Sequence, residues 1–214
     1  LDLLHDMFYF YFITNQHKML NGLIKGISAI KKTTKSNAII KISNTYLGNM
    51  YKLINNFNTS NKHLLKVIEN ESYFPHSRIN FAELLILNNN FDKAFEVLEE
   101  ARNMQENDKS HRFNNLLICI YTFEAFAYIK MQDIEKAYLE IHKIKKMDLN
   151  DESERTSHLF CLYFAIGDLD KGFSMYQKNK ELNNRCDIEI IISPMCNNAH
   201  KDPRYIEILK EMKL

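Results

Sequence analysis

Tryptophan is absent from this chain, and glycine and proline are scarce, five and three among 214 residues. So little punctuation excludes a loop-rich or all-β fold, which needs turn residues at short intervals. Glycines scattered singly also exclude a backbone cradle for phosphate, a dinucleotide fingerprint or a nucleophile elbow, and no zincin helix occurs. Long apolar runs are missing too: Met7–Ile13 is much too short to span a bilayer, so no membrane partner is expected. A surplus of charge is lacking, with 28 basic residues against 27 acidic and a formal net of +1. Summed over the chain, that is no electrostatic footprint for a phosphate backbone, and no nucleic-acid partner is expected for this region. Lys31-Lys32 with Lys35, and Lys143 with Lys145-Lys146, read as solvated helix ends. The four cysteines, Cys119, Cys161, Cys186 and Cys196, are irregularly spaced, which points to reduced, mostly buried thiols in a cytoplasmic protein.

What is present is a core-building composition, 45% apolar, and a recurrence. A small residue returns three places after an apolar one in Phe91-Asp-Lys-Ala94, Ile134-Glu-Lys-Ala137 and Leu169-Asp-Lys-Gly172. Counting from Ser60, the steps to Ala94, Ala137 and Gly172 are 34, 43 and 35 residues. A period of that size indicates stacked two-element units. Small residues let antiparallel helices cross closely, while Leu85, Leu98, Tyr128 and Ile141 fill the space beside them. Asn56, Asn90, Asp133 and Asp168 each precede the second helix of a pair and are suited to cap it.

Reading outward gives five helix pairs: Leu3–Thr14 with Lys18–Lys31, Ala38–Ile54 with Thr59–Glu69, Ser77–Leu87 with Asp92–Met104, His111–Met131 with Ile134–Lys146, and Glu152–Ile166 with Leu169–Glu181. Near the end, Asp202-Pro203 sets an N-cap before a proline, and a helix over Arg204–Met212 follows. The expected fold is therefore all-α, a right-handed α-α superhelix of about five helix pairs closed by a C-terminal capping helix. Its parts would be a degenerate pair over 1–35, repeats over 36–182 and a cap over 183–214.

The runs AELLILNNNFDKAFEVLEEA, AFAYIKMQDIEKAYLEI and LFCLYFAIGDLDKGFSMY resemble tetratricopeptide repeats over roughly Ala38 to Glu181. Ser60 and Gly172 replace the usual alanine, Phe160 stands where a small residue is usual, and no proline ends a unit. The ending SPMCNNAHKDPRYIEILKEMKL resembles the tail of repeat regions in bacterial signalling proteins that carry a cyclase, kinase or winged-helix domain. That resemblance implies a C-terminus at Leu214 and an effector domain before Leu1, a start that is not methionine.

Chemistry is thinly represented. His158 and Cys161 lie one helical turn apart, and Cys196 and His200 form a looser pair, but core packing accounts for them without a metal. Glu99-Glu100, Asp151-Glu152 and Glu154 read as solvated helix positions. The run Phe8–Phe12 has no interleaved basic residues and reads as buried packing or an interface rather than a base-stacking platform. No cofactor and no catalytic residue is expected. In arrays like this, first helices line a concave surface that holds a peptide or helix. The packing faces put Asn49, Lys52, Leu53, Glu83, Ile86, Leu87, Phe126, Ile129 and Lys130 on that groove. A chaperone-tail clamp is disfavoured, because Thr45, Cys119 and Phe123 stand where its polar or basic residues would be.

Overall fold

The computed structural model describes residues 7–8, 11–12, 16–70, 75–107, 116–148, 152–182, 191 and 193–211. The elements run α1 His17–Thr33, α2 Asn37–Leu53, α3 Phe57–Asn70, α4 Pro75–Leu87, α5 Phe91–Glu106, α6 Leu116–Lys130, α7 Ile134–Lys146, α8 Glu152–Ile166, α9 Leu169–Glu181, a 3-10 segment Pro194–Ala199, and α10 Pro203–Glu211. No strand occurs among the described residues. The expected bounds of α7, α8 and α9 coincide with the observed ones. The expected helix Leu3–Thr14, the first residues of His111–Met131, and Cys186 lie largely or wholly outside the described residues. Helices pack in pairs, α2 with α3, α4 with α5, α6 with α7 and α8 with α9. First helices also stack on first helices, α4 on α6 and α6 on α8, which makes the chain an α-α solenoid.

One turn closes every pair. The N–H groups of Asn56, Asn90, Asp133 and Asp168 donate to the carbonyls of Tyr51, Leu85, Tyr128 and Tyr163 at 2.8–2.9 Å. The residue before each, Asn55, Asn89, Gln132 or Gly167, has a φ of 59°, 58°, 63° or 90°. A left-handed residue followed by a bond back across the last turn is a Schellman closure, which satisfies carbonyls that the helix end leaves open. Glycine enters that region freely and asparagine tolerates it, whereas Gln132 carries some strain. Gln16 N–H donates to Tyr11 O at 2.9 Å, a bond of the same span in the chain. Leu20, 3% exposed, then occupies the place that Ser60, Ala94, Ala137 and Gly172 hold in the later units.

Three of the four expected caps form. The side-chain oxygens of Asn56, Asp133 and Asp168 accept from the N–H groups of Thr59, Lys136 and Lys171 at 3.3, 3.2 and 3.3 Å. Asn90 is a correction. Its backbone takes the same conformation, but its side chain makes no bond to the helix, so its part is the turn alone. At the crossings, a Cβ on Gly172 would sit 2.3 Å from the Phe164 ring, and one on Gly48 would sit 2.6 Å from Leu64. Ser60 Oγ donates to Gly48 O at 2.8 Å, a bond that only a close approach permits. Ala82, Ala94, Ala125 and Ala137 are fully buried at the equivalent contacts.

The core divides in two. One cluster joins Phe8, Leu20, Ile24, Ile27, Leu47 and Met50. The other runs unbroken from Leu64 through α4–α9 to Ile208. The 3-10 segment and α10 close the far end of the second cluster. There Cys196 Sγ lies 3.7 Å from Cys161 Sγ, and Tyr205 Oη donates to Ile191 O at 2.7 Å. Arg204 bonds to Asp202 and Asp170 and lies 4.1 Å over the Phe173 ring, fastening α10 to α9. Such a cover is what the open end of a stacked core requires.

Candidate partner-binding groove

The nine residues expected on the groove do not form one surface. Leu87 at the end of α4 and Phe126, Ile129 and Lys130 on α6 share a cleft of about 180 Å³ with Ala165, Pro194, Met195, Asn197 and Asn198. Lys52 and Glu83 are buried and ion-paired to each other across α2 and α4, so neither charge is offered to a partner. Ile86 is fully buried and presents no surface. Leu53 packs against the first core cluster, and the Asn49 side-chain oxygen is buried without a hydrogen-bond partner.

The reason lies in α4. Its residues from Ser77 to Ile86 are almost all buried, because α3, α5 and α6 pack around it. A helix enclosed on every side has no free face for periodicity to identify. Expecting Glu83 and Ile86 at the surface is corrected on that ground, and Lys52 with them. Sequence reasoning also passed over Pro194, Met195, Asn197 and Asn198. The adjacent amides Asn197-Asn198 after Ser193-Pro194 were the available signal, a polar turn within an otherwise apolar cap.

The cleft pairs an apolar floor, Leu87, Phe126, Ile129 and Met195, with amides and one cation at the rim. Asn198 Nδ2 donates to Ala165 O at 2.9 Å, fixing that side chain and leaving its oxygen available as an acceptor. Asn197 and Lys130 are exposed. Next to it, Thr122, Phe123, Ser157, His158, Cys161, Ser193 and Met195 line a second cleft of about 190 Å³, and Met195 borders both. The cap therefore forms one wall of a groove along α6.

His158 in this groove is a neutral, engaged side chain. Thr122 Oγ1 donates to Ile118 O at 2.7 Å, so His158 Nδ1–H donates to Thr122 Oγ1 at 3.0 Å. That leaves His158 Nε2 as an acceptor, 4.0 Å from Cys119 Sγ. Burial lowers the His158 pKa to about 4 and pushes the Cys119 thiol up to about 12. Neither can supply the thiolate and imidazolium that cysteine chemistry uses. Cys161 faces Cys196. Among the described residues no three His, Cys, Asp or Glu side chains come together to hold a metal ion. Glu124 is raised by burial against the opposing pull of Arg102, which bonds it at 2.6 Å. Arg102 also reaches Glu99 on its own helix at 3.1 Å, and its bond to Glu124 is a cross-repeat tie rather than an acid awaiting substrate.

No family model and no solved structure matches the chain. A mitochondrial pentatricopeptide repeat-containing protein of Arabidopsis thaliana is 30% identical over 93 residues, which are 44% of this chain. The chain spans 17% of that protein's length. Fold and likeness together define a helical-repeat protein. It is built from two-helix units of the tetratricopeptide-like or pentatricopeptide-like kind, and no helix among the described residues is long and apolar enough to cross a membrane.

Proposed function

We propose that this chain is a non-catalytic interaction module, with the groove along α6 as the seat of a peptide or helix from a partner protein. The observation that supports it most is the cleft at Leu87, Phe126, Ile129 and Lys130, where apolar side chains lie beside Asn197 and Asn198. An apolar anchor would enter between Leu87 and Ile129, and the amides would take backbone groups of an extended or helical segment. Lys130 would favour an acidic residue next to that anchor. Binding here would order or restrain an effector, in the same polypeptide or a separate one, in keeping with a cytoplasmic regulatory role.

The bacterial signalling setting remains part of the proposal and rests on the resemblance of the last 22 residues. An effector domain in frame before Leu1 would support regulation in cis, and a start codon at that place would support a separate adaptor. The interaction itself is tested with the partner recovered on the immobilised chain and its peptide then titrated by calorimetry. Ile129→Arg and Asn197→Ala should each weaken binding by about tenfold or more. Unchanged affinity in both would remove the groove from the account.

A further inference from the structure

Ten large apolar side chains stand exposed among the described residues, and four of them, Met131, Ile134, Tyr138 and Leu139, fall within nine consecutive positions. Single exposed apolar residues are ordinary on a protein surface, whereas a contiguous group marks a contact. Leu139 is 62% exposed, more than any of the other nine. Met131 lies in the turn before α7, and the other three lie on α7 itself.

Helical spacing decides which way they face. Ala137, Glu140, Ile141 and Ile144 are buried where α7 packs on α6 and α8. At about 100° per residue, Glu135, Leu139, His142 and Lys146 form one stripe on the opposite side of the helix. All four are exposed, and Tyr138 borders the stripe.

The charges on α7 fall into two groups. Lys136 pairs with Asp133 at 2.8 Å, Lys143 pairs with Glu140 at 2.7 Å, and Lys145 Nζ lies 5.4 Å over the Tyr163 ring. Glu135 and Lys146, at the two ends of the stripe, make no ion pair among the described residues. About 16 Å of helix axis separates them, so they cannot reach each other. A carboxylate at one end, an ammonium at the other and a leucine between them form a pattern that complements itself when turned end for end.

We propose that this stripe is an interface between two copies of the chain, with their α7 helices antiparallel about a two-fold axis between Leu139 and His142. Glu135 of each copy then faces Lys146 of the other, and Leu139 of each packs against His142 of the other. Tyr138 and Ile134 extend the apolar contact along one side. Parallel helices would instead set Glu135 against Glu135 and Lys146 against Lys146, which repel. The same patch serves both copies, so the contact closes at two and does not propagate. A single helix of 13 residues offers less than the roughly 800 Å² per partner of a standard interface, so a weak dimer is expected, with a Kd on the order of 100 µM. The stripe shares no residue with the α6 groove, so either can fail while the other stands.

Sedimentation equilibrium of the full chain, over about two decades of concentration around that value, tests the proposal. A reversible monomer–dimer equilibrium is expected, and Leu139→Arg should leave the chain monomeric. Glu135→Lys and Lys146→Glu should each weaken association by about tenfold, because either change replaces two attractions with two repulsions. Mixing those two variants should restore dimers, since one then offers two cations and the other two carboxylates. The double variant Glu135→Lys with Lys146→Glu should associate with itself as the original chain does, and Lys62→Gln, on α3, should change nothing. Circular dichroism checks that each variant keeps its helices. A chain that stays monomeric throughout, a dimer indifferent to Leu139→Arg, or mixed variants that associate no better than either alone would overturn the proposal. So would a monomer that uses Leu139 to bind vesicles of phosphatidylcholine with phosphatidylserine, which would assign the face to a lipid surface.

Discussion

Residues 16–70 and residues 75–211 are built from the same closing turn but differ in everything laid on it. The first region holds a small core around Ile27, Leu47 and Met50, and nine lysines against one carboxylate. The second holds a continuous core through α4–α9, with its charges tied between helices and repeats, as in Arg78–Glu100 at 3.0 Å and Arg102–Glu124 at 2.6 Å. The join is Lys52–Glu83 together with Leu64, which leaves α3 to pack into the larger core. One scaffold can thus carry a portion whose opposite charges are tied between helices and a portion whose charged side chains are almost all of one sign.

Substitutions can separate the two regions, and the largest effects belong in the larger core. Phe164 is 1% exposed and meets the rings of Phe160 and Phe173 edge-on, with centres 5.8 and 4.8 Å apart. Phe164→Ala should cost about 3–5 kcal/mol by urea denaturation. Ile27→Ala should instead open the small core first, seen as early hydrogen exchange in α1 and α2 with α6 and α8 still protected. A single cooperative transition in that variant would dissolve the division.

The join comes next. Lys52→Met alone leaves the Glu83 carboxylate buried and should cost about 3–5 kcal/mol, while Lys52→Met with Glu83→Leu should recover most of it. The two glycine crossings then compare the regions at equivalent contacts. Gly172→Ala forces a methyl into the edge of a packed ring and should cost about 3 kcal/mol; Gly48→Ala meets the branched end of the buried Leu64 side chain, which can turn about its bonds more readily than a ring, and should cost about 1–2 kcal/mol. Equal losses would show the crossing at the join to be as unyielding as the one beside Phe164.

Acid titration gives a smaller, graded difference. His158 and His63 both have pKa values lowered from 6.5 to about 4. A histidine depressed in the native state binds its proton more readily when unfolded. Its contribution is therefore full above pH 6.5 and is lost as pH falls from 6.5 to about 4, at up to about 1.4 kcal/mol per pH unit. His158→Gln should flatten that slope; an unchanged slope would place the titration elsewhere. The smallest effect separates two caps. Asp168→Ala should cost about 1 kcal/mol, whereas Asn90→Ala, which breaks no side-chain bond to the helix, should stay within about 0.5 kcal/mol.

The second helices of the pairs were legible because their signals are local: a cap, an apolar residue and a small residue within five positions. The first pair was legible only as a degenerate one, since Leu20 breaks the small-residue series and the evidence of kinship is a backbone bond, Gln16 to Tyr11. The left-handed residue before each cap left a trace as Asn55, Asn89, Gln132 and Gly167, too varied to stand out alone. Of the residues expected on a groove, Phe126, Ile129 and Lys130 on α6 and Leu87 at the end of α4 line a cleft. Glu83 and Ile86, further back on α4, do not, because enclosure by three neighbours is a property of the assembled array. The basic region was present in the sequence throughout, but a sum over the whole chain cancels it.

Hydrogen exchange of the full chain, with and without the peptide recovered on it, decides whether the α6 groove is the seat of binding. New protection is expected in α6 near Ile129 and Lys130 and in the turn at Asn197 and Asn198, with residues 31–66 unchanged. Protection confined to residues 31–66, with none along α6, would contradict it.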